Sequence, residues 1–348
     1  MTLYLPAIRM VGVISALGTM QCARADNDDG FYGGRTITIL VGAGPGGGYD
    51  LNTRIFARHF GKSIAGNPSI VVQNMPGASG LALANFIYNV APKDGTSLGV
   101  FAASVALEPV FGNAAAKFDT RQFQWIGSLE RDTPSCGIWN GAGQGLKSLA
   151  DLVGAKQEVL FGSTSPSATT SQHALLLKNL LGAPVRVIYG YKGTNDVKLA
   201  MEKGELHATC GLLQSTVKST FLHEYQSGVL DIVVQFGPER REPFFKEAVR
   251  VHEIANTDDD RQVLDIIFKQ AQLARPMAAP PEAPPQRVSR LRSAMLATMK
   301  DPQLIADGAK IKVEYAPVSG EETAKIFASY YAIPKEQIAR SLVLTGLK

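Results

Sequence analysis

A chain of 348 residues, 45% apolar and 19% charged, is long enough for two ordinary lobes and too apolar for a disordered protein. Its formal charge of +4 falls to +2 if Arg9 and Arg24 leave with an N-terminal segment, a balance that gives no footprint for nucleic acid. The five histidines (59, 173, 207, 223 and 252) are scattered and no HxxxH or CxxC spacing occurs, so the sequence disfavours a zinc site and implies no cofactor.

Residues 1–25 read as an export signal: Arg9, the apolar run Met10 to Met20, then Ala23-Arg24-Ala25 as a small-x-small cleavage site. That run is too short to span a bilayer, and no later stretch approaches the ~20 residues needed. Cys22 is a poor lipoprotein anchor, because Thr19-Met20-Gln21 lacks the expected Leu and small residues. The mature chain is expected to begin at Asp26 and to work in the periplasm. It then keeps Cys136 and Cys210, an even count compatible with either a disulfide or two buried apolar thiols.

Thr36 to Val41 alternates and is β-rich, and Leu51, Ile55, Phe56, Phe60 and Ile64 recur at helical spacing up to Gly66-Asn67-Pro68. A strand Ser69 to Gln73, the turn Met75 to Gly80, an apolar helix to about Val90 and a strand Ser97 to Phe101 follow. This β-α-β-α-β order, with glycine turns at the strand exits, predicts a parallel sheet covered on both faces. A second series starts after Phe123: IGSL, SCGIWN, a helix near Ser148 to Gly154, a strand Glu158 to Phe161, the turn GSTSPSATTS, a helix to Leu181, a strand Val185 to Tyr189, the turn GYKGTND, a helix, and a strand His207 to Gly211. Pro276 to Pro285 reads as a proline-rich connector, Gln286 to Met299 as an amphipathic helix, and Ser319-x-x-Glu322 as a capping box opening a last helix to about Ala332. Two α/β lobes are the natural result.

The segment VGAGPGGGYD, Val41 to Asp50, contains Gly42-x-Gly44-x-x-Gly47 and so matches a dinucleotide fingerprint. That reading fails on context, since Gln73 and Asn74 stand where an acid should hold a ribose, and Gly47-Gly48-Tyr49 lacks the lysine of a phosphate-binding loop. Ser215-x-x-Lys218 and Gly77-Ala78-Ser79-Gly80 only approach the patterns of serine hydrolases, and no histidine is placed to activate either serine. No catalytic constellation emerges. What remains is a set of turns at strand C-termini. Gly44, Gly46, Gly47 and Gly48, with Pro45, can aim backbone N–H groups at an anion on a helix start, and the hydroxyls of Ser163 to Ser171 occupy the corresponding place in the second lobe.

The order strand-GPGGGYD-helix, IVVQNMPGASG, VAPKDGTSLGVF, the Ser/Thr turn, VIYGYKGTND and RPMAAPPEAP resembles the extracytoplasmic receptors of the tripartite tricarboxylate transporter family, the Bug family, from about Thr36 to Ala332. The family's usual motifs are close to PGGGTD, VENRPGAGG, APDGYTL and PYKG. The resemblance implies an α/β, two-lobed periplasmic binding protein, a Venus flytrap, with a doubly wound, mainly parallel sheet and helices on both faces in each lobe. It divides the chain into a signal peptide (1–25), the first part of lobe 1 (26–127), lobe 2 (128–245) and a crossover returning to lobe 1 with C-terminal helices (246–348). It implies a non-enzymatic monomer that captures a small carboxylate and delivers it to integral-membrane transporter subunits; the alternatives are a receptor for a membrane sensor kinase and an exported serine hydrolase.

Carried onto this chain, the resemblance places the ligand grip at Gly44, Pro45, Gly46, Gly47, Gly48, Tyr49 and Asp50, with Ser79 and Ser104, in lobe 1. In lobe 2 it falls on Ser163, Thr164, Ser165 and Thr169 and on Tyr191, Lys192 and Gly193, where Lys192 is equally compatible with a solvated turn. Two departures stand out. Tyr49 replaces a small hydroxyl residue and offers an aromatic edge or a phenol donor. Gly211 lies near where several members carry an aspartate, which argues against an amino-acid ligand.

Overall fold

Strand order shows how the chain builds two bodies from one thread. A computed structural model describes residues 1–2, 30–140, 145–237, 241–311, 313 and 315–348. The expected export signal, beyond its first two residues, lies outside them. The described strands, in chain order, are β1 (Thr36–Val41), β2 (Ser69–Asn74), β3 (Ser97–Val100), β4 (Gln124–Ser128), β5 (Pro134–Trp139) and β6 (Val159–Gly162), then β7 (Val185–Ile188), β8 (Ala208–Leu213), β9 (Leu230–Gln235), β10 (Val249–Arg250), β11 (Pro276–Ala279) and β12 (Val318–Ser319). They form two six-stranded sheets, β12-β4-β11-β3-β1-β2 and β10-β9-β5-β8-β6-β7.

The alternation read in β1 decides its two faces. Ile37 and Ile39 pack under helix Gly48–Phe60 with Ile55, Phe56 and Phe60, while Leu40 turns to the opposite core around Phe101, Trp125 and Phe327. In the second sheet, Phe161, Leu176 and Val234 share one core, and Met201, Leu212 and Phe221 the other. Each such buried side chain contributes ~1.5–3 kcal/mol. Both lobes are therefore covered on two faces, as a doubly wound architecture requires.

Both sheets are mixed, each built on a parallel core. β1 runs parallel to β2 and β3, but β11 is antiparallel to β3 and β4. In the second sheet β6 is parallel to β7 and β8, but β5 is antiparallel to β8 and β9. β5 and β11 are the strands by which the chain enters each lobe from the other, so they come in against the local βαβ direction; the short edge strand β12 also runs antiparallel to β4. Residues 129–133 carry the first crossing and residues 251–275 the second, since β10 still pairs with β9.

The proline-rich stretch expected to be a connector is partly a strand. Pro276–Ala279 is β11, wholly buried and central in the first sheet. Pro276 is tolerated because it opens the strand, where a missing donor is least harmful. Of the expected capping box one half forms, the Glu322 amide donating to Ser319 Oγ at 3.2 Å, while the Glu322 carboxylate pairs with Arg131. A further helix, Lys335–Leu344, follows the predicted last one; it packs on helices Thr169–Leu181 and Asp258–Phe268, and Arg340 pairs with Asp259 and Asp260. It brings the C-terminus back to the second lobe. Cys136 and Cys210, both buried, are joined as a disulfide across β5 and β8.

Candidate ligand-binding cleft

Four strands, β1, β2, β6 and β7, end in turns that open helices toward one point between the lobes. The helices are Gly48–Phe60 and Leu81–Asn89 from the first lobe, Thr169–Leu181 and Thr194–Glu202 from the second. Their starts surround a cavity of about 360 Å³, within the ~300–1,000 Å³ of small-molecule sites.

The glycine turn is braced from behind. Asp50 accepts from the Gly46 amide (2.8 Å), from Arg54 Nε (2.9 Å) and from Asn74 Nδ2 (2.8 Å), and Asn74 Nδ2 also donates to Ala43 O (2.9 Å). Burial raises the Asp50 carboxyl pKa, but these hydrogen bonds outweigh it and hold the group below the usual carboxylate range. Asp50 and Gly46 thus build the turn and do not line the cavity. Asn74, which occupies the place of a ribose-binding acid, is part of the same brace. Gly42 permits the first two turns to touch, because a Cβ there would lie 2.9 Å from Gly80 Cα.

The turn leaves donors facing inward. Among the described residues, the amides of Gly47, Gly48 and Tyr49 have no protein acceptor, and neither have those of Thr169 and Thr170 in the second lobe. All five residues line the cavity. Two helix N-termini of opposite lobes therefore direct main-chain donors and the positive ends of their dipoles into one space. Gly211 has φ +68, and a Cβ on it would sit 3.0 Å from the Thr170 amide. Its bare backbone keeps that donor uncovered.

Of the other sequence-predicted residues, Gly44, Ser79, Thr164, Tyr191, Lys192 and Gly193 also line the cavity. Ser79 stands in a left-handed turn (φ 58) and holds the second lobe through Thr164 Oγ1 and through Ser165 Oγ at 2.8 Å. The Gly44 amide donates to Lys192 O at 3.2 Å, a second bond across the lobes. Lys192 joins the lobes through its backbone, and its side chain is exposed. Pro45 is exposed outside the cavity; Ser104 is fully buried behind it. Ser163 is likewise buried and ties Thr170 Oγ1 at 2.7 Å, so much of the hydroxyl density shapes the turn and closes the lobes. The Tyr49 phenol donates to Ala274 O at 2.8 Å, so the phenol is not free to hold a ligand and the side chain offers the cavity its aromatic edge.

Several lining residues escaped sequence reasoning. Phe101, Val197 and Leu212 sit at or just past strand and helix ends, and their apolar character reads as ordinary core. Only the places of Phe101 and Leu212 at strand C-termini, and of Val197 in the first turn of helix Thr194–Glu202, could have signalled them. Lys192 is the one charged side chain among the described lining residues. Ser215 belongs to a buried cluster between the crossing segments, with Arg275 Nη1 donating to its Oγ at 3.0 Å, and no described histidine lines the main cavity beside Ser79.

Two helix-covered mixed sheets with a cleft between them define a two-lobed α/β fold. Compared with family models and with curated proteins, the sequence matches none. Solved structures do share the fold. The periplasmic binding protein BugD is 16% identical, with a TM-score of 0.70 over 90% of this chain and 98% of its own. MatC from Rhodopseudomonas palustris, solved with bound malate, is 16% identical with a TM-score of 0.68 over 89% and 99%. A TctC solute-binding protein from Polaromonas is 21% identical with a TM-score of 0.57 over 88% and 98%. These neighbours are in keeping with the resemblance carried by the motifs.

Proposed function

We propose that the protein is an extracytoplasmic receptor that shuts two lobes on a small carboxylate and presents it to a membrane transporter of the tripartite tricarboxylate type. One observation carries the reading: unpaired amides of Gly47, Gly48, Tyr49, Thr169 and Thr170, from two helix starts, face the same cavity. A carboxylate accepts several such donors, and charge-assisted bonds of this kind offset the loss of hydration on burial. Malate bound to MatC is a precedent for a carboxylate in this fold. The bridges Ser79 to Thr164 and Ser165, and Gly44 to Lys192, then belong to the closed state, which a partner distinguishes from an open one.

Gly47 supplies the test. Its backbone (φ −78, ψ 172) suits any residue, and a Cβ meets only ordinary contacts at 3.8 Å, so Gly47→Val folds while its side chain intrudes on the donors. Thermal-shift screening against mono-, di- and tricarboxylates finds a stabilising ligand for the parent protein, and calorimetry shows that ligand lost or strongly weakened in Gly47→Val. A folded Gly47→Val protein with unchanged affinity overturns the assignment.

A further inference from the structure

Behind the main cavity lies a second chamber of about 50 Å³. Tyr49, Ala102, Thr169 and Gly211 border both, so the chamber continues the cleft toward the interior. Its own walls include His173 and Gln270, buried at 1% and 4% exposure. Gln270 Nε2 donates to Ile267 O at 2.9 Å, which leaves Oε1 without a partner, and neither ring nitrogen of His173 is hydrogen-bonded. Roughly 90% or more of buried polar groups are paired. Two unpaired side chains facing one small chamber point to a group that enters it.

The chemistry of that group follows from the walls. His173 rests against Phe236 and Phe268, with ring centroids 4.5 and 5.1 Å away, and burial pushes its pKa down to about 3. The imidazole is therefore neutral, with one donor and one acceptor, beside the acceptor Gln270 Oε1. No charged side chain lines the chamber among the described residues.

We propose that this rear chamber is a subsite for a neutral hydroxyl on the far end of the captured solute, which makes the preferred ligand a hydroxylated monocarboxylate. The proposal rests on the carboxylate-receptor reading and adds the second group to it. A hydroxyl donates to Gln270 Oε1 and accepts from the imidazole N–H. A second carboxylate has no proton to give Gln270 Oε1 and meets no cation; an ammonium meets no acid; a methyl leaves both side chains unpaired. The volume exceeds the ~10–15 Å³ that holds one water, so a short hydroxylated arm fits.

Calorimetry on the purified protein tests this with three series of four to eight carbons: straight-chain alkanoates, ω-hydroxyalkanoates and α,ω-dicarboxylates. One ω-hydroxyalkanoate is expected to bind at least about tenfold tighter than the alkanoate and the dicarboxylate of its length, a difference of about 1.4 kcal/mol. His173→Phe, which keeps an aromatic ring between Phe236 and Phe268, and Gln270→Met are each expected to bring that ratio below about threefold; having two variants covers the loss of either to misfolding. Binding of alkanoates with no hydroxyl preference at any length, or a preference that survives both variants, overturns the subsite and leaves the carboxylate reading standing. Failure of all three series to bind overturns both.

Discussion

Arg275 is the side chain whose replacement tests the hinge most directly. It lies on the returning crossing, fully buried, and pairs with Glu130 of the outgoing crossing, 1% exposed. The two crossings are also laced by backbone, Leu129 N to Arg275 O and Ala274 N to Glu130 O, both at 3.1 Å. Arg275 further reaches Ser215 Oγ (3.0 Å) and Thr216 Oγ1 (3.4 Å) in the second lobe and lies 5.4 Å from the Tyr49 ring centroid in the first. Arg275→Met strips the buried Glu130 carboxyl group of its partner, which costs ~3–5 kcal/mol. Arg275→Met with Glu130→Leu removes both charges and is expected to recover most of that loss, because the pair itself adds little net stability against an apolar substitute. Urea unfolding followed through Trp125 in β4 and Trp139 in β5, one tryptophan per lobe, measures both lobes. A single variant that loses less than about 1 kcal/mol, or a double variant as unstable as the two single losses combined, refutes a coupled buried pair.

Gly46→Ala is expected to weaken ligand binding without a contact to ligand. Its φ of +77 disfavours a side chain by roughly 1–2 kcal/mol, and the Cβ would lie 2.7 Å from Asn195 Nδ2 across the lobes; calorimetry on Gly46→Ala with and without Asn195→Gly should show the clash relieved in the pair. Ser79→Ala removes two bridges worth ~0.5–1.5 kcal/mol each, so calorimetry should show affinity falling by a few-fold to about a hundredfold with unliganded stability held. Burial raises the Asp132 pKa from 3.8 to about 6 against hydrogen bonds from Ser215 and Thr133. The folded state then binds the proton more tightly than the unfolded one, so this group's contribution is full below about pH 4, falls as pH rises toward 6, and is constant above. At most ~3 kcal/mol is involved, trimmed by solvent screening of a part-buried side chain. The stability difference between the parent and Asp132→Asn, measured by urea unfolding across pH 3–7, should trace that slope; a flat difference contradicts it.

What was legible in the sequence was local. β1, β2 and helix Gly48–Phe60 follow from alternation and 3.6-residue spacing, and the glycine turn announces a close backbone approach. The less legible features depend on distant partners. Pro276–Ala279 carries two residue types that suggest a linker, Pro and Ala, and becomes a central strand only because β3 and β4 present edges to it. Asp50 looked like a ligand group, yet Arg54, Asn74 and the Gly46 amide converge on it, and Asn74 comes from another strand. Nothing in the sequence marks His173 and Gln270 as a pair, since the chamber they share exists only after the second crossing packs against helix Thr169–Leu181.

In the proposed receptor, the grip on the carboxylate needs few particular side chains. Main-chain donors are set by turn geometry: left-handed φ at Gly46, Ala78, Ser79 and Gly80, the Gly42–Gly80 approach, and the Asp50 brace that fixes the loop from outside the cavity. Such a site tolerates extensive substitution as long as the turns keep their shape, which suits a fold shared at 16–21% identity with its solved neighbours. Selectivity among carboxylates must then come from the residues that face the rest of the solute. Here those are Phe101, Val197 and Leu212, with an uncharged chamber beyond them, and among the described lining residues of the main cavity Lys192 alone is charged. An arrangement with one concentrated set of anion donors and neutral walls elsewhere favours a ligand whose charge is likewise at one end.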